Sequence, residues 1–162
     1  IMIVFGYNAH SPHDGAVAII KDGKIIFSLA SERLTGEKHS YGIDKNIVSY
    51  ALKQSGIYAS DIDFVAIAGD GHNMERDNLA SAEDGIFHLC DMEREDEYLP
   101  WKGPTFLIPH HICHSAAAYY TSGFDNAICY SLDTCDFEYH ILGPNLNSMV
   151  CKYQDHELKD AY

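Results

Sequence analysis

The sequence predicts an α/β protein. Its 162 residues open with three short apolar runs of strand length. Segments of helical and strand periodicity then alternate, and a second series of short apolar runs follows. Strands alternating with helices give layered architectures in which helices cover a sheet. The second series resembles the opening one. This predicts a repeated architecture whose second copy has only begun at Tyr162.

The elements follow in order. "MIVFGY" is a short apolar strand, and "GAVAIIKD" is a second strand after a polar loop. Asp22-Gly23 then predicts a two-residue hairpin turn, because glycine accepts the positive φ such a turn requires. "KIIFSLASER" reads as the third strand of an antiparallel meander and ends in charge. Residues 44–55, "DKNIVSYALKQS", predict a helix: Ile47, Val48, Ala51 and Leu52 share one face, and Gly56 stands where a C-cap belongs. "DFVAIAG" is a buried-type strand ended by glycine. The acidic stretch from Asp70 to Glu97 is expected to hold one or two helices. "TFLIP" is another strand, and "IPHHICHSAAAYY" leads into a helix. "NAICYSL", "EYHIL" and "SMVCKYQ" predict three further short strands.

Bulk properties remove several function classes. Hydrophobic residues make up 46% of the chain, enough for a folded core. No apolar run approaches the ~18 residues of a membrane helix. "IMIVFGYN" has no charged leader or small-residue cleavage site, so a signal peptide is not expected. The net charge is −13, with eleven basic residues spread thinly. Direct nucleic-acid binding is therefore not expected. Much of the acid lies in residues 70–97, as a solvated face or a surface selecting a cationic partner. The five cysteines (Cys90, Cys113, Cys129, Cys135, Cys151) form no CxxC pair. They predict buried thiols in a reducing, cytoplasmic compartment.

Two regions carry candidate chemistry. His110 and His114 are four apart, which on a helix stacks both imidazoles on one face. Such a pair can bind one metal ion, with further ligands from elsewhere. His111 points roughly 100° away from His110. In a chain with ten histidines this spacing also arises by chance, so capped or solvent-facing helix histidines remain the alternative. Asp133, at the end of "CYSLD", could complete a two-His-one-carboxylate set, or could be a simple turn aspartate. The second region is the loop "GYNAHSPHDGAVAI", with Asn8, His10, His13 and Asp14 between Gly6 and Gly15. Its backbone N–H groups could meet an anion. In "SERLTGEKHSYG", Arg33 and Lys38 could bind phosphate or carboxylate, and His13 or His39 could do acid–base work near neutral pH. Polar loops at a sheet edge are the alternative reading.

"GYNAHSPHDGAVAIIKDGK", "SERLTGEKH" and "HHICHSAAAYYTSGFDNAICYSLD", in this order, resemble the O-carbamoyltransferase family of the nodulation and antibiotic-biosynthesis type. Its catalytic half is similar to the tRNA threonylcarbamoyladenosine transferases. The match covers most of residues 3–133. The resemblance implies an actin-like fold of two ribonuclease-H-like domains, with mixed sheets and flanking helices. Residues 1–124 would form the first subdomain, and residues 125–162 the first strands of the second. It implies a divalent metal, iron first, with zinc or manganese as alternatives. It also implies ATP or carbamoyl-adenylate as substrate. The family makes carbamoyl-adenylate from carbamoyl phosphate and ATP in a separate C-terminal domain, and the actin-like half passes the carbamoyl group to a hydroxyl acceptor.

Carried over by position, the metal ligands would be His110, His114 and Asp133. The catalytic groups would be His13, beside the transferred group, and Lys38. Asn8, His10, Asp14, Arg33 and His39 would bind substrate. Small-molecule substrates are the expected partners, with no membrane. Further domains or a partner chain would supply the rest of the site.

One departure stands out. The family usually follows the Asp133 position with "D-G-x-G-[ED]-G", where glycines let the backbone wrap a phosphate. This chain reads "DTCDFEYH". A non-catalytic member acting as a binding or assembly module is therefore one alternative. A metal-dependent hydrolase is another, although it leaves the N-terminal block unexplained.

Overall fold

Side-chain alternation on the first strand shows where the core forms. A computed structural model of the chain describes residues 1–8, 15–38, 45–69, 88–91, 94–100, 103–132 and 148–161. In β1 (Ile3–Asn8), Ile3, Phe5 and Tyr7 are buried and their neighbours are half-buried. β2 (Ala16–Lys21) and β3 (Lys24–Ala30) complete the antiparallel meander. Asp22 and Gly23 join them at φ of 48° and 77°. Both central residues of a type I′ turn require this left-handed region, and its twist matches that of the strands.

α1 (Ser31–Thr35) and α2 (Lys45–Ser55) follow, then a 3-10 turn at Ala59–Asp61 and β4 (Phe64–Gly69). β5 (His88–Asp91), β6 (Arg94–Pro100) and β7 (Thr105–Pro109) come next. α3 (His110–Ser122), β8 (Asn126–Leu132), β9 (Ser148–Gln154) and β10 (Glu157–Ala161) end the described chain.

The main sheet has the order β3-β2-β1-β4-β7 and is mixed: β4 runs parallel to β1. A parallel pair needs a crossover, and the segment carrying α1 and α2 lies between β3 and β4. α2 sets Ile47, Val48, Ala51 and Leu52 into a core with Phe5, Ile19, Val65 and Ile67. Each fully buried aliphatic or aromatic side chain there contributes about 1.5–3 kcal/mol.

By contacts the described residues fall into two units, one ending at Leu107 and the other beginning at Ile108. The second unit holds α3 and the antiparallel sheet β10-β9-β8. Its core is Tyr119, Met149, Cys151 and Tyr153. The sequence-based division at 124/125 places α3 with the first unit, whereas by contacts it lies with the second.

One local expectation needs correction, and one described strand was not expected. The third strand stops at Ala30, and Ser31–Thr35 turn into one helical turn. Gly36 at φ 76° ends that helical turn: from the left-handed region its N–H reaches the Glu32 carbonyl at 2.9 Å. The described part of the acidic stretch forms strands, which neither places nor removes the one or two helices expected within it. β5 and β6 pair antiparallel, with Leu89 opposite Leu99 and Cys90 opposite Tyr98; residues 70–87 lie outside the described residues. β10 is a strand that its short, uniformly exposed and mostly polar sequence hides from sequence reading. It is held by pairing to β9 across a turn with Asp155 and His156 at positive φ. The expected strand "EYHIL" lies outside the described residues.

Candidate functional site

The main sheet gathers polar residues at one end. Asn8 closes β1, where it is register-paired with Ala16 on β2 and with Ala68 on β4. Ala16 is paired in turn with Ala30, the last residue of β3. The carboxyl ends of β1 and β4 and the start of α1 therefore share one edge. α/β proteins bind ligands beyond the carboxyl ends of their strands. The Ser31 N–H donates to the Gly15 carbonyl at 2.6 Å, tying the start of α1 to the approach to β2. Arg33, on α1, is exposed and meets the Glu32 carboxylate at 3.3 Å. Lys38 is exposed beyond the turn. Asn8, Arg33 and Lys38 thus leave from the same end of one sheet. His10, His13, Asp14 and His39 lie outside the described residues.

α3 carries the other candidate group. It starts directly after β7, and Pro109 at its N-cap makes no side-chain capping bond. Small residues of high helix propensity fill its middle, and Gly123 ends it at φ 78°. The expected placement of His110 and His114 on one helix face, one turn apart, is present, with the rings edge to face. Their Nε2 atoms face each other at 2.9 Å, with ring centroids 4.3 Å apart. His114 is exposed and His110 half-buried.

Two nitrogens that share one ion at about 2.0–2.1 Å each stand roughly 3 Å apart. The Nε2–Nε2 separation matches that of two ligands to one ion, but here the edge-to-face rings are hydrogen-bonded to each other, so an ion would replace that bond and turn the side chains; two imidazoles suit iron, zinc or manganese. No cluster of three histidine, cysteine or acidic side chains is found among the described residues. Asp133, the expected third ligand, lies outside them, as does the departing turn at residues 134–140.

Sequence reading missed the opposite side of this helix. His111, Ser115 and Tyr119 recur every four residues and are all buried. Each is bonded to the strands or to the connection leading into them. His111 Nδ1 and Ser131 Oγ are 2.8 Å apart. The Ser115 and Tyr153 hydroxyls share a 2.8 Å bond. The Tyr119 hydroxyl donates to the Asp125 carbonyl at 2.7 Å, and its ring stacks on Tyr153 at 4.3 Å. The i, i+4, i+8 spacing is visible in the sequence, but polar residues hide it from a search for apolar stripes. Cys113 is half-buried, and its thiol donates to the Ile108 carbonyl at 3.5 Å.

Comparison with known proteins adds a family match. Residues 4–82 match the family described as Carbamoyltransferase N-terminus. Nodulation protein U of Rhizobium fredii is 32% identical over 153 residues, covering 81% of this chain and 26% of that protein. The chain thus spans about a quarter of the length of the curated relatives it matches. ROK hexokinase from Thermus thermophilus superposes with a TM-score of 0.50 at 11% identity, over 97% of this chain and 47% of the other. YeaZ from Pseudomonas aeruginosa gives 0.50 at 13% identity, over 100% and 66%. These two likenesses bear on fold alone. The fold is of the actin-like type, a mixed sheet with flanking helices, accompanied by a second, small antiparallel sheet. Over residues 4–82 the chain matches the N-terminal region of the carbamoyltransferase family, and it is similar to nodulation protein U over 153 residues.

Proposed function

We propose that this chain forms part of an enzyme that transfers a carbamoyl group from carbamoyl-adenylate to a hydroxyl acceptor. The observation that carries the proposal is the match of residues 4–82 to the carbamoyltransferase N-terminus. In this reading the acceptor oxygen bonds to the carbamoyl carbon, and the bond from that carbon to the adenylate phosphate oxygen breaks, releasing AMP. His13 takes the acceptor proton. Asn8, Arg33 and Lys38, at one end of the main sheet, orient the substrate together with His10, Asp14 and His39. His110 and His114 hold a divalent metal, with Asp133 as the proposed third ligand. Bound there, the ion would supply Lewis acidity for carbamoyl or phosphate oxygens. The carbamoyl-adenylate comes from carbamoyl phosphate and ATP in the remainder of the protein, and a cytoplasmic location belongs to the same reading.

The test uses the full-length protein with ATP, labelled carbamoyl phosphate and a panel of hydroxyl acceptors. Label is expected on an acceptor, with at least a hundredfold loss in His110→Ala. Absence of both AMP release and labelled product across the panel would overturn the reading. The residues "DTCDFEYH" favour a second reading, a non-catalytic binding module. It predicts retained small-molecule binding, by calorimetry, with no turnover.

A further inference from the structure

We infer that the buried polar stripe of α3 is a positioning device for the histidine pair. Two bonds, His111 to Ser131 and Ser115 to Tyr153, set the rotation of the helix about its own axis. The inference rests on the reading of His110 and His114 as metal ligands and concerns residues that do not themselves touch the ion.

Directional bonds hold α3 in place. A helix docked by an apolar stripe gains non-directional burial energy, and its roll angle is only loosely set. α3 docks differently. Its buried positions are a histidine, a serine and a tyrosine, and His111 is only 1% exposed. Each carries a polar group into the contact, and each is hydrogen-bonded there. Hydrogen bonds weaken steeply with misalignment, so they resist roll in a way that apolar contacts do not. Buried polar groups also penalise any rotation that would strand them.

The geometry links this stripe to the pair. His110 precedes His111, and His114 precedes Ser115, so each candidate ligand lies about 100° around the helix from a bonded residue. Both bonds sit on the same two turns as the pair. Ser131 is on β8 and Tyr153 on β9, so the helix is referenced to two adjacent strands. Pro109 at the N-cap makes no side-chain capping bond, and the His111–Ser131 bond lies in the turn that carries His110.

The experiment separates positioning from mere stabilisation. Cobalt(II) is titrated into the full-length protein and followed by its visible d–d absorption, with thermal melting recorded in parallel. The double variant Ser115→Ala/Tyr153→Phe removes both partners of one bond, so no polar group is stranded. It is expected to keep its melting temperature within a few degrees of the parent while binding cobalt about tenfold more weakly, the scale of outer-shell changes at metal sites. Ser131→Ala should show the same weakening. Ser131→Thr, which keeps the hydroxyl, should restore both affinity and spectrum even if Ser131→Ala melts early. Unchanged cobalt affinity and spectrum in folded Ser131→Ala and in the double variant would overturn the inference and leave the metal reading intact. A parent whose cobalt spectrum survives His110→Ala would overturn the metal reading and this inference with it.

Discussion

Tyr7 shows how one side chain couples the first core to pH. It lies on the buried face of β1, and burial raises its phenol well above the ordinary value of 10.0. The folded state therefore favours the neutral phenol, whereas the unfolded chain ionises near the ordinary value. Between those two pH values the unfolded state holds fewer protons, so stability falls as pH rises. The contribution is fully present below about pH 10 and is lost as pH climbs toward the raised folded value. Denaturant midpoints measured from pH 8 to pH 11.5 should fall more steeply in the parent than in Tyr7→Phe. Parallel curves for the two proteins would show that Tyr7 carries none of the alkaline sensitivity.

At the scale of elements, α2 is the clearest case of sequence dictating structure. Its apolar residues lie on one face, Gly56 ends it, and burial follows the pattern: Leu52 is fully buried while Gln54 is exposed. Leu52→Ala should cost about 2–5 kcal/mol by denaturant unfolding, the range for large-to-small core changes. Gln54→Ala should stay within about 0.5 kcal/mol; equal losses would contradict this assignment of faces. The same logic made β1, β2, the Asp22-Gly23 hairpin and β4 legible, because period and turn chemistry agreed. α1 was not legible, since a five-residue turn has too few positions to show a period. β10 was hidden because an exposed strand gains its stability from backbone pairing and leaves no alternation. In α3 the spacing of His110 and His114 foretold that their rings would meet on one face. The residues that aim them, His111 and Ser115, are polar and bond to partners 20 and 38 positions away, which local reading cannot see.

For the molecule as a whole, charge is the dominant property. Twenty-four acidic residues against eleven basic ones leave a net charge of −13 on 162 residues. Like charges crowd together when a chain folds, so self-repulsion opposes the compact state. Salt screens that repulsion over a Debye length of about 30 Å at 0.01 M and about 8 Å at 0.15 M. Attractive surface pairs such as Glu32–Arg33 and Glu157–Lys159 are screened too, but solvent-exposed pairs contribute little. Repulsion among the excess acids therefore outweighs these attractions, and its screening should dominate. The melting temperature should rise by several degrees between 0.01 M and 0.15 M NaCl, and by the same amount with KCl. The comparison belongs in chelator-treated buffer, so that trace divalent ions add no screening of their own. A melting temperature that stays flat or falls over this range would mean that local ion pairs outweigh the net charge.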